Sequence, residues 1–246
     1  MAKWLNGQVV ENKRWTDNLY SLRVKADIAP FEAGQFTRLA MEIDGEEISR
    51  PFSLVNAPDE PLLDFYFIEV PGGVLSTQLA ALQAGDAIWV APKAAGLLTL
   101  KQLAPASKLF LIATGTGLGP FLSIIKTKEV WQQFQQVCLV HAVRFAKELS
   151  YQETIADIQA MHAKQFHYQR IVSREDSPNA LKGRIPQLID NQQLEQALGV
   201  KIDKDSQLLL CGNPAMVQET TDVLLARGLT RHSRREAGNI SIEKYW

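Results

Sequence analysis

The second half of the chain contains four continuous apolar runs, and these constrain the fold most strongly. The runs are 108–113, 137–142, 169–173 and 207–212. A strand that is apolar along its whole length is covered on both faces, which is typical of parallel sheets flanked by helices. Segments with helical composition alternate with these runs, at 119–130, 151–163, 185–197 and 214–226. The alternation predicts an α/β doubly wound parallel sheet.

The first hundred residues have a different pattern. Tyr20, Leu22 and Val24 alternate with polar neighbours, and turn dipeptides recur between short β-branched and aromatic runs. Short strands at this spacing predict an antiparallel barrel or sandwich. We place the junction within 94–107 and expect domains at 1–102 and 103–246. The charge also changes, because residues 1–100 carry 13 acidic and 8 basic side chains, whereas residues 101–246 carry 14 and 18.

Composition excludes several classes of protein. The formal net charge is −1, so no overall basic excess points to nucleic acid. Two cysteines cannot supply the four ligands of an iron–sulfur cluster, and no metal site is expected. No signal peptide and no apolar run of about 18–20 residues is evident. We therefore expect a soluble cytoplasmic protein.

A glycine-rich segment, 114–120, directly follows the first apolar run. Gly115, Gly117 and Gly119 alternate with other residues, and Pro120 suits the first turn of a helix. Ligands of doubly wound sheets bind beyond the carboxyl ends of the strands. A nucleotide site and a tight turn without a ligand are both compatible with this segment alone.

Basic and hydroxyl side chains follow the next two runs. The second run ends at Val143 and Arg144, the third at Ser173 and Arg174, and Arg184 comes shortly afterwards. An arginine at such a strand end suits the 2′-phosphate of NADP. Each arginine taken singly could be a solvated loop residue, but together they favour NADP.

The fourth run ends in a sharp turn made by Cys211, Gly212, Asn213 and Pro214. Its spacing favours Cys211 as a small buried hydrophobic residue. The alternative places Cys211 beside a reacting nicotinamide.

The first half contains weaker candidates for an anion and ring site. Arg50, Pro51, Phe52 and Ser53 could bind a pyrophosphate and a flat ring, but taken alone they are better explained as an ordinary strand with one exposed arginine and one core phenylalanine. A further candidate is a phosphate turn at 72–76, for which the alternative is that Ser76 simply caps a helix at 76–83. Residues 66–68 are typical of a β-core. The aromatic C-terminus at 245–246 is either a frayed tail or a pair of rings stacked on a cofactor.

In combination, these motifs resemble the ferredoxin–NADP reductase family, in its bacterial, enterobacterial-like form. The matching segments run in order over essentially the whole chain, at 50–53, 73–76, 115–120, 211–216 and 243–246. The resemblance implies an N-terminal antiparallel β-barrel that binds FAD and a C-terminal α/β domain that binds NADP(H), with the tail returning to FAD.

The resemblance also implies residue roles. For FAD they are Arg50 and Pro51 at the pyrophosphate motif, Phe52 stacked on the ring, Ser53 at its reactive edge, Tyr66, Phe67 and Ile68 along it, Val74, Leu75 and Ser76 at the phosphates, and Tyr245 and Trp246 closing over it. For NADP they are Thr116 where the two rings meet, Val143, Arg144, Ser173, Arg174 and Arg184 at the 2′-phosphate end, and Cys211, Gly212, Asn213 and Pro214 near the nicotinamide. Ser53, Cys211 and Glu243 form the implied catalytic set, with Glu243 in a proton-handling role.

Phe52 departs from the family pattern, which usually has tyrosine there. Stacking is retained, because the ring face is kept, whereas the phenolic hydrogen bond is lost.

The implied activity is hydride exchange between NADPH and FAD, coupled to one-electron transfer with ferredoxin or flavodoxin, in a monomer. A basic patch for these acidic partners is expected at Arg227, Arg231, His232, Arg234 and Arg235, with a solvated charge run as the alternative. Two other functions stay open at this point: a flavin or ferric reductase without a protein partner, and a nucleotide-sensing module without flavin.

Overall fold

The computed structural model describes residues 3–233 and 235–244. Within them the chain divides into two units. One runs to Thr99 and also takes in Leu122–Thr127, and the other comprises Leu100–Phe121 and the residues from Lys128 onward.

The first unit is built on a six-stranded antiparallel sheet. Its strands are β1 (Leu5–Arg14), β2 (Leu19–Lys25), β3 (Phe36–Ile43), β4 (Glu46–Ser53), β5 (Leu63–Ile68) and β6 (Ala87–Val90), and their spatial order is β4-β3-β6-β1-β2-β5. An isolated bridge joins Leu54, just after β4, to Phe65 in β5, and the Val55 N–H donates to the Asp64 carbonyl at 2.8 Å. Since these bonds link the two edge strands, the sheet curls into a barrel, and the predicted antiparallel barrel is confirmed.

Helix α1 (Val74–Ala81) covers the barrel core with Leu75 and Leu79. It begins two residues earlier than the predicted 76–83, with Gly73 rather than Ser76 at its N-cap. The Ser76 hydroxyl instead accepts a hydrogen bond from the Val70 N–H at 3.1 Å. The expected cap was therefore wrong, because Ser76 ties the helix back to the preceding strand end.

The second unit is built on a six-stranded parallel sheet. Its strands are β7 (Lys108–Thr114), β8 (Gln136–Val143), β9 (Phe166–Val172), β10 (Ala180–Lys182), β11 (Ser206–Gly212) and β12 (Ile240–Lys244), in the order β10-β9-β8-β7-β11-β12. The order reverses between β7 and β11, which makes this pair the topological switch point of a doubly wound sheet. All seven residues of β11 are buried, as its apolar sequence predicts.

The remaining helices are α2 (Gly119–Ile125), α3 (Lys128–Gln133), α4 (Gln152–Met161), α5 (Ile185–Asp190), α6 (Gln193–Leu198) and α7 (Pro214–Ala226). The predicted helix 214–226 is confirmed, and α4 lies within the predicted 151–163. The segments 119–130 and 185–197 were each predicted as one helix and are two. In the second case Gln192 has a φ of 63°, and this left-handed residue cannot continue a helix.

The parallel sheet buries both faces. Alternate residues of its central strands, such as Ile112, Val140 and Leu210, pack with α5, α6 and α7 in one core. The intervening residues point to the opposite face, since side chains alternate along a strand. Among the described residues no helix is long and apolar enough to cross a membrane.

Two aspartates next to the start of β7 lead to a pH prediction. Asp203 pairs with Lys108, and Asp205 accepts hydrogen bonds from Ser107, including one from its N–H at 2.9 Å. The hydrogen bonds from Lys108 and Ser107 lower the pKa of Asp203 and Asp205, respectively, from the usual 3.8. A carboxylate whose pKa is lower in the folded state than in the unfolded state stabilises the fold at pH values above its unfolded-state pKa. That stabilisation is lost as the pH falls through the folded-state pKa.

We therefore expect Asp203→Asn to lower the melting temperature at pH 7 and to have a shrinking effect as pH falls from about 4 toward 3. Thermal melts of both proteins across this range measure the difference. Asp157→Asn, at an exposed position in α4, serves as the control. If the melting temperature of Asp203→Asn stayed below that of the wild type by the same amount over this range, the assignment would be contradicted.

Candidate functional site

The glycine-rich segment packs against the end of β11. A 3-10 turn, Gly115–Leu118, follows β7 and leads directly into α2. A Cβ on Gly117 would lie 2.5 Å from the Cys211 carbonyl oxygen and 2.9 Å from the Gly212 Cα. Only glycine allows this approach, so the turn and the end of β11 are fixed against one another. Gly115, in contrast, faces open space, because no heavy atom lies within 4 Å of the position that a Cβ would occupy there.

Thr114 and Asn213 join the two strand ends of the switch point. The Thr114 hydroxyl accepts a hydrogen bond from the Asn213 N–H at 2.9 Å, and a side chain on Gly212, whose φ is 129°, would collide with Thr114. The Asn213 side chain accepts hydrogen bonds from the Ala215 and Met216 N–H groups and so caps α7. Pro214 is the first residue of α7, as its sequence position suggests.

Five paired positions form a line across the sheet near its carboxyl edge. They are Arg170 in β9, His141 in β8, Ala113 in β7, Cys211 in β11 and Glu243 in β12. All five lie on the face opposite α5, α6 and α7, because their strand neighbours belong to that core. The structure therefore brings Cys211 and Glu243 of the predicted catalytic set together. The Cys211 side chain is fully buried, in agreement with the simpler expectation for it.

The ends of β8 and β9 stay paired beyond the sheet. The Ser173 N–H donates to the Val143 carbonyl, and the Arg174 N–H to the Arg144 carbonyl, each at 3.0 Å. The two arginines are thus held on adjacent strand ends, and both are exposed. The Ser173 hydroxyl also donates a hydrogen bond to the Val143 carbonyl at 3.2 Å, so its donor is already used within the protein.

Arg184 is placed differently from the other two arginines. It is the N-cap residue of α5, and its guanidinium forms an ion pair with Glu219 at 3.2 Å. Its guanidinium charge is therefore already paired within the second unit.

Sequence reasoning missed three residues that shape the arginine site. The Glu148 carboxylate accepts hydrogen bonds from the Arg144 and Phe145 N–H groups at 2.9 and 3.2 Å, and Glu175 accepts one from Ala146 at 2.6 Å. The Phe145 ring centroid lies 5.9 Å from the Arg174 guanidinium carbon. Glu148, three residues after Phe145, supplies the glutamate half of a capping box, and this spacing was the available signal in the sequence.

In the first unit, the predicted pyrophosphate and ring residues lie on β4. Arg50 is exposed, and its guanidinium donates one hydrogen bond to the Ser49 carbonyl at 2.8 Å. Phe52 is half-buried, with its ring edge-on to Phe67 at a centroid distance of 6.0 Å. Ser53, adjacent to Pro51 and Phe52 in the same motif, is buried.

The other predicted FAD residues differ in exposure. Tyr66 and Phe67 are buried in β5, and Ile68 is half-buried. Val74 is 53% exposed, whereas Leu75 is 3% exposed and belongs to the barrel core, which leaves only its backbone for a ligand. Tyr245 and Trp246 lie outside the described residues.

The predicted basic patch is only partly present. Arg231 and Arg235 are exposed and His232 is half-buried, while Arg234 lies outside the described residues. Arg227 is half-buried and pairs with Glu195 at 2.7 Å. Its assignment to an exposed docking patch was therefore wrong, because its charge is compensated within the second unit.

Known proteins of similar sequence and fold agree with the division into these two units. The family described as the oxidoreductase NAD-binding domain matches residues 111–222. The flavodoxin/ferredoxin–NADP reductase of Escherichia coli K12 is 43% identical, and that of Shigella flexneri 44%, over the full length of each chain. A crystal structure of a ferredoxin NADP+ reductase from Neisseria gonorrhoeae with bound FAD and NADP is 32% identical, and covers 99% of both chains with a TM-score of 0.92. On this sequence and fold similarity, the chain belongs to the flavodoxin/ferredoxin–NADP reductase family.

Proposed function

We propose that this chain is a FAD-dependent ferredoxin/flavodoxin–NADP+ oxidoreductase. The observation that carries the proposal is the pair of exposed arginines on adjacent strand ends of a doubly wound sheet, in a chain of this family. The two domains of the proposal are an FAD-binding barrel at 1–102 and an NADP-binding domain at 103–246.

The second unit fits the nucleotide NADP(H). Gly115 leaves its backbone open to a ligand at the end of β7. Arg144 and Arg174 form no ion pair within 3–233 and 235–244, so their guanidinium groups are available for a phosphate. The nearby Glu148 and Glu175 are engaged by backbone N–H groups, which fixes the loop between the arginines. We assign Val143, Arg144, Ser173 and Arg174 to the 2′-phosphate end, with Arg184 as a weaker contributor because of Glu219.

The first unit offers the groups that FAD requires. Among the described residues the Arg50 guanidinium donates to Ser49 alone, and its remaining donors suit a pyrophosphate. Gly72 has a φ of 73° with nothing within 4 Å of its missing Cβ, which leaves the turn before α1 open. The half-buried Phe52 ring has a face to stack on a flavin, supported from its edge by Phe67.

When bound, FAD would supply the hydride and one-electron chemistry of the reaction, which belongs to the cofactor. The residues of this chain orient the bound cofactor and nucleotide and enclose them. Arg144 and Arg174 would select the 2′-phosphate, and the turn with Thr116 would set the position of the nicotinamide. The fully buried Cys211 thiol suits packing rather than nucleophilic attack. We assign Glu243, its neighbour in β12, to proton handling and Ser53 to orienting the flavin edge.

The proposed protein partners are ferredoxin and flavodoxin, which are acidic electron carriers. Arg231 and Arg235 are exposed residues of the second unit that could attract such carriers by charge.

The visible spectrum of the purified protein tests the proposal, followed by anaerobic addition of NADPH or NADH. We expect a yellow protein that low NADPH bleaches much faster than NADH does. A colourless protein that neither takes up FAD nor responds to NADPH would overturn the proposal. Cytochrome c reduction that depends on added ferredoxin or flavodoxin separates this function from a partner-independent flavin or ferric reductase.

Arg50→Ala tests the FAD assignment. We expect this variant to bind FAD at least about tenfold more weakly, because charge-assisted hydrogen bonds to a phosphate would be lost. Titration of the apoprotein with FAD, followed by flavin fluorescence, measures the affinity. Arg38→Ala is the matched control, since Arg38 is also an exposed arginine and lies on the adjacent strand β3. Equal FAD affinity in both variants would remove Arg50 from the site.

A further inference from the structure

His141 is a fully buried residue to which the proposed mechanism assigns no role. Its side chain has no exposed surface, and within 3–233 and 235–244 neither ring nitrogen has a hydrogen-bond partner. Buried polar groups in proteins are nearly always hydrogen-bonded, and an unbonded one destabilises the fold. The unpartnered His141 ring at this position therefore requires an explanation.

The position of His141 relates it to the nucleotide turn. It lies in the line of paired positions that also holds Cys211 and Glu243, on the same face of the sheet. Only Ala113 separates it from Cys211, and two strand spacings correspond to roughly 10 Å. The turn Gly115–Leu118 begins two residues after Ala113, on the next strand to His141.

The two ends of this turn are supported differently. At one end, Gly117 is fixed by the carbonyl of Cys211. At the other end, the turn contacts β8, the strand that carries His141. Burial lowers the pKa of His141 to about 4, and the Gly115 backbone opposes that shift more weakly. The ring is therefore neutral near pH 7 and can offer one donor and one acceptor.

We propose that His141 is a positioning residue for the nicotinamide nucleotide: its ring, unpartnered among the described residues, hydrogen-bonds the Gly115 backbone when the nucleotide binds and so holds the Gly115 end of the turn. Cys211 and His141 then support the two ends of the same turn, and together they set the place of Thr116. This inference rests on the proposed function, since it assumes that the turn binds the nucleotide of NADPH.

Two substitutions distinguish the effect of the His141 ring nitrogens from the effect of side-chain packing. His141→Leu keeps an apolar side chain of comparable size and removes both ring nitrogens, whereas His141→Gln retains a donor and an acceptor. Val140→Ala is the matched control, because Val140 is the preceding buried residue of β8 and faces the opposite core. The FAD-loaded proteins are reduced anaerobically over a range of NADPH concentrations, and FAD content and melting temperature are recorded.

We expect His141→Leu to retain FAD and to need about fivefold more NADPH for half-maximal reduction, the change expected from one ordinary hydrogen bond. His141→Gln recovers most of that loss, and Val140→Ala lowers only the melting temperature. His141→Leu with wild-type NADPH dependence, or His141→Gln no better than His141→Leu, would overturn the proposal. Failure of the wild-type holoprotein to react with NADPH would instead refute the proposed function.

A second measurement applies if His141→Leu does not fold. In protein with ¹⁵N-labelled histidine, we expect NADP+ to shift an imidazole nitrogen signal that is missing from His141→Gln. An unchanged signal for His141 at saturating NADP+ would overturn the proposal.

Discussion

Replacing Arg144 and Arg174 together by alanine is expected to raise the NADPH concentration for half-maximal flavin reduction about 100-fold. The reason is the loss of two charge-assisted contacts to one phosphate, reduced in strength by their exposure to solvent. The response to NADH, which lacks the 2′-phosphate, is expected to stay within about twofold, the scatter of surface substitutions. Anaerobic stopped-flow reduction with each nucleotide measures both values.

Arg14→Ala provides the control for general effects of removing an exposed arginine. Arg14 is exposed in the first unit, where it pairs with Asp17. The wild-type preference for NADPH should also weaken as ionic strength rises, because salt screens exposed charges. If the double variant lost NADPH and NADH reactivity equally, the arginines would be structural and the 2′-phosphate assignment would fail.

Gly117→Ala is expected to reduce the rate of flavin reduction by NADPH about 100-fold while FAD stays bound. The new Cβ would lie within 2.5–2.9 Å of three backbone atoms of Cys211 and Gly212, none of which can rotate away. The turn must then shift, and a displacement of about 1 Å in a positioning element can lower a rate by this factor. Overpacking also destabilises the fold by about 1–3 kcal/mol.

Gly228→Ala is the control that distinguishes an effect of Gly117→Ala on the position of the turn from a general loss of stability. Gly228 follows α7 in the same unit, has a φ of 81° and has nothing within 4 Å of its missing Cβ. Alanine there is strained by about 1–2 kcal/mol without a collision. Melting temperatures and NADPH reduction rates of the two variants are compared. Similar rates in both would show that the Gly117 contact does not position the nucleotide.

The NADP assignment could largely be predicted from local sequence. Continuous apolar runs that end in Gly115, Arg144 and Arg174 place these residues at one edge of a parallel sheet, because parallel strands all end at the same edge. The barrel was likewise predictable from alternation and turn spacing. Helix boundaries were less so, since the break at Gln192 depends on a single left-handed residue that has no strong sequence signal.

The sequence by itself determined the two kinds of sheet, the order of the motifs and the residues at the strand ends, because periodicity and turn residues act over a few neighbouring positions. Only the tertiary structure decided which of those residues have side chains available to bind a ligand or a partner. It paired Arg184 with Glu219 and Arg227 with Glu195, partners 35 and 32 residues away along the chain. It also placed His141 in line with Cys211 and Glu243, since strand register is set by packing between distant segments.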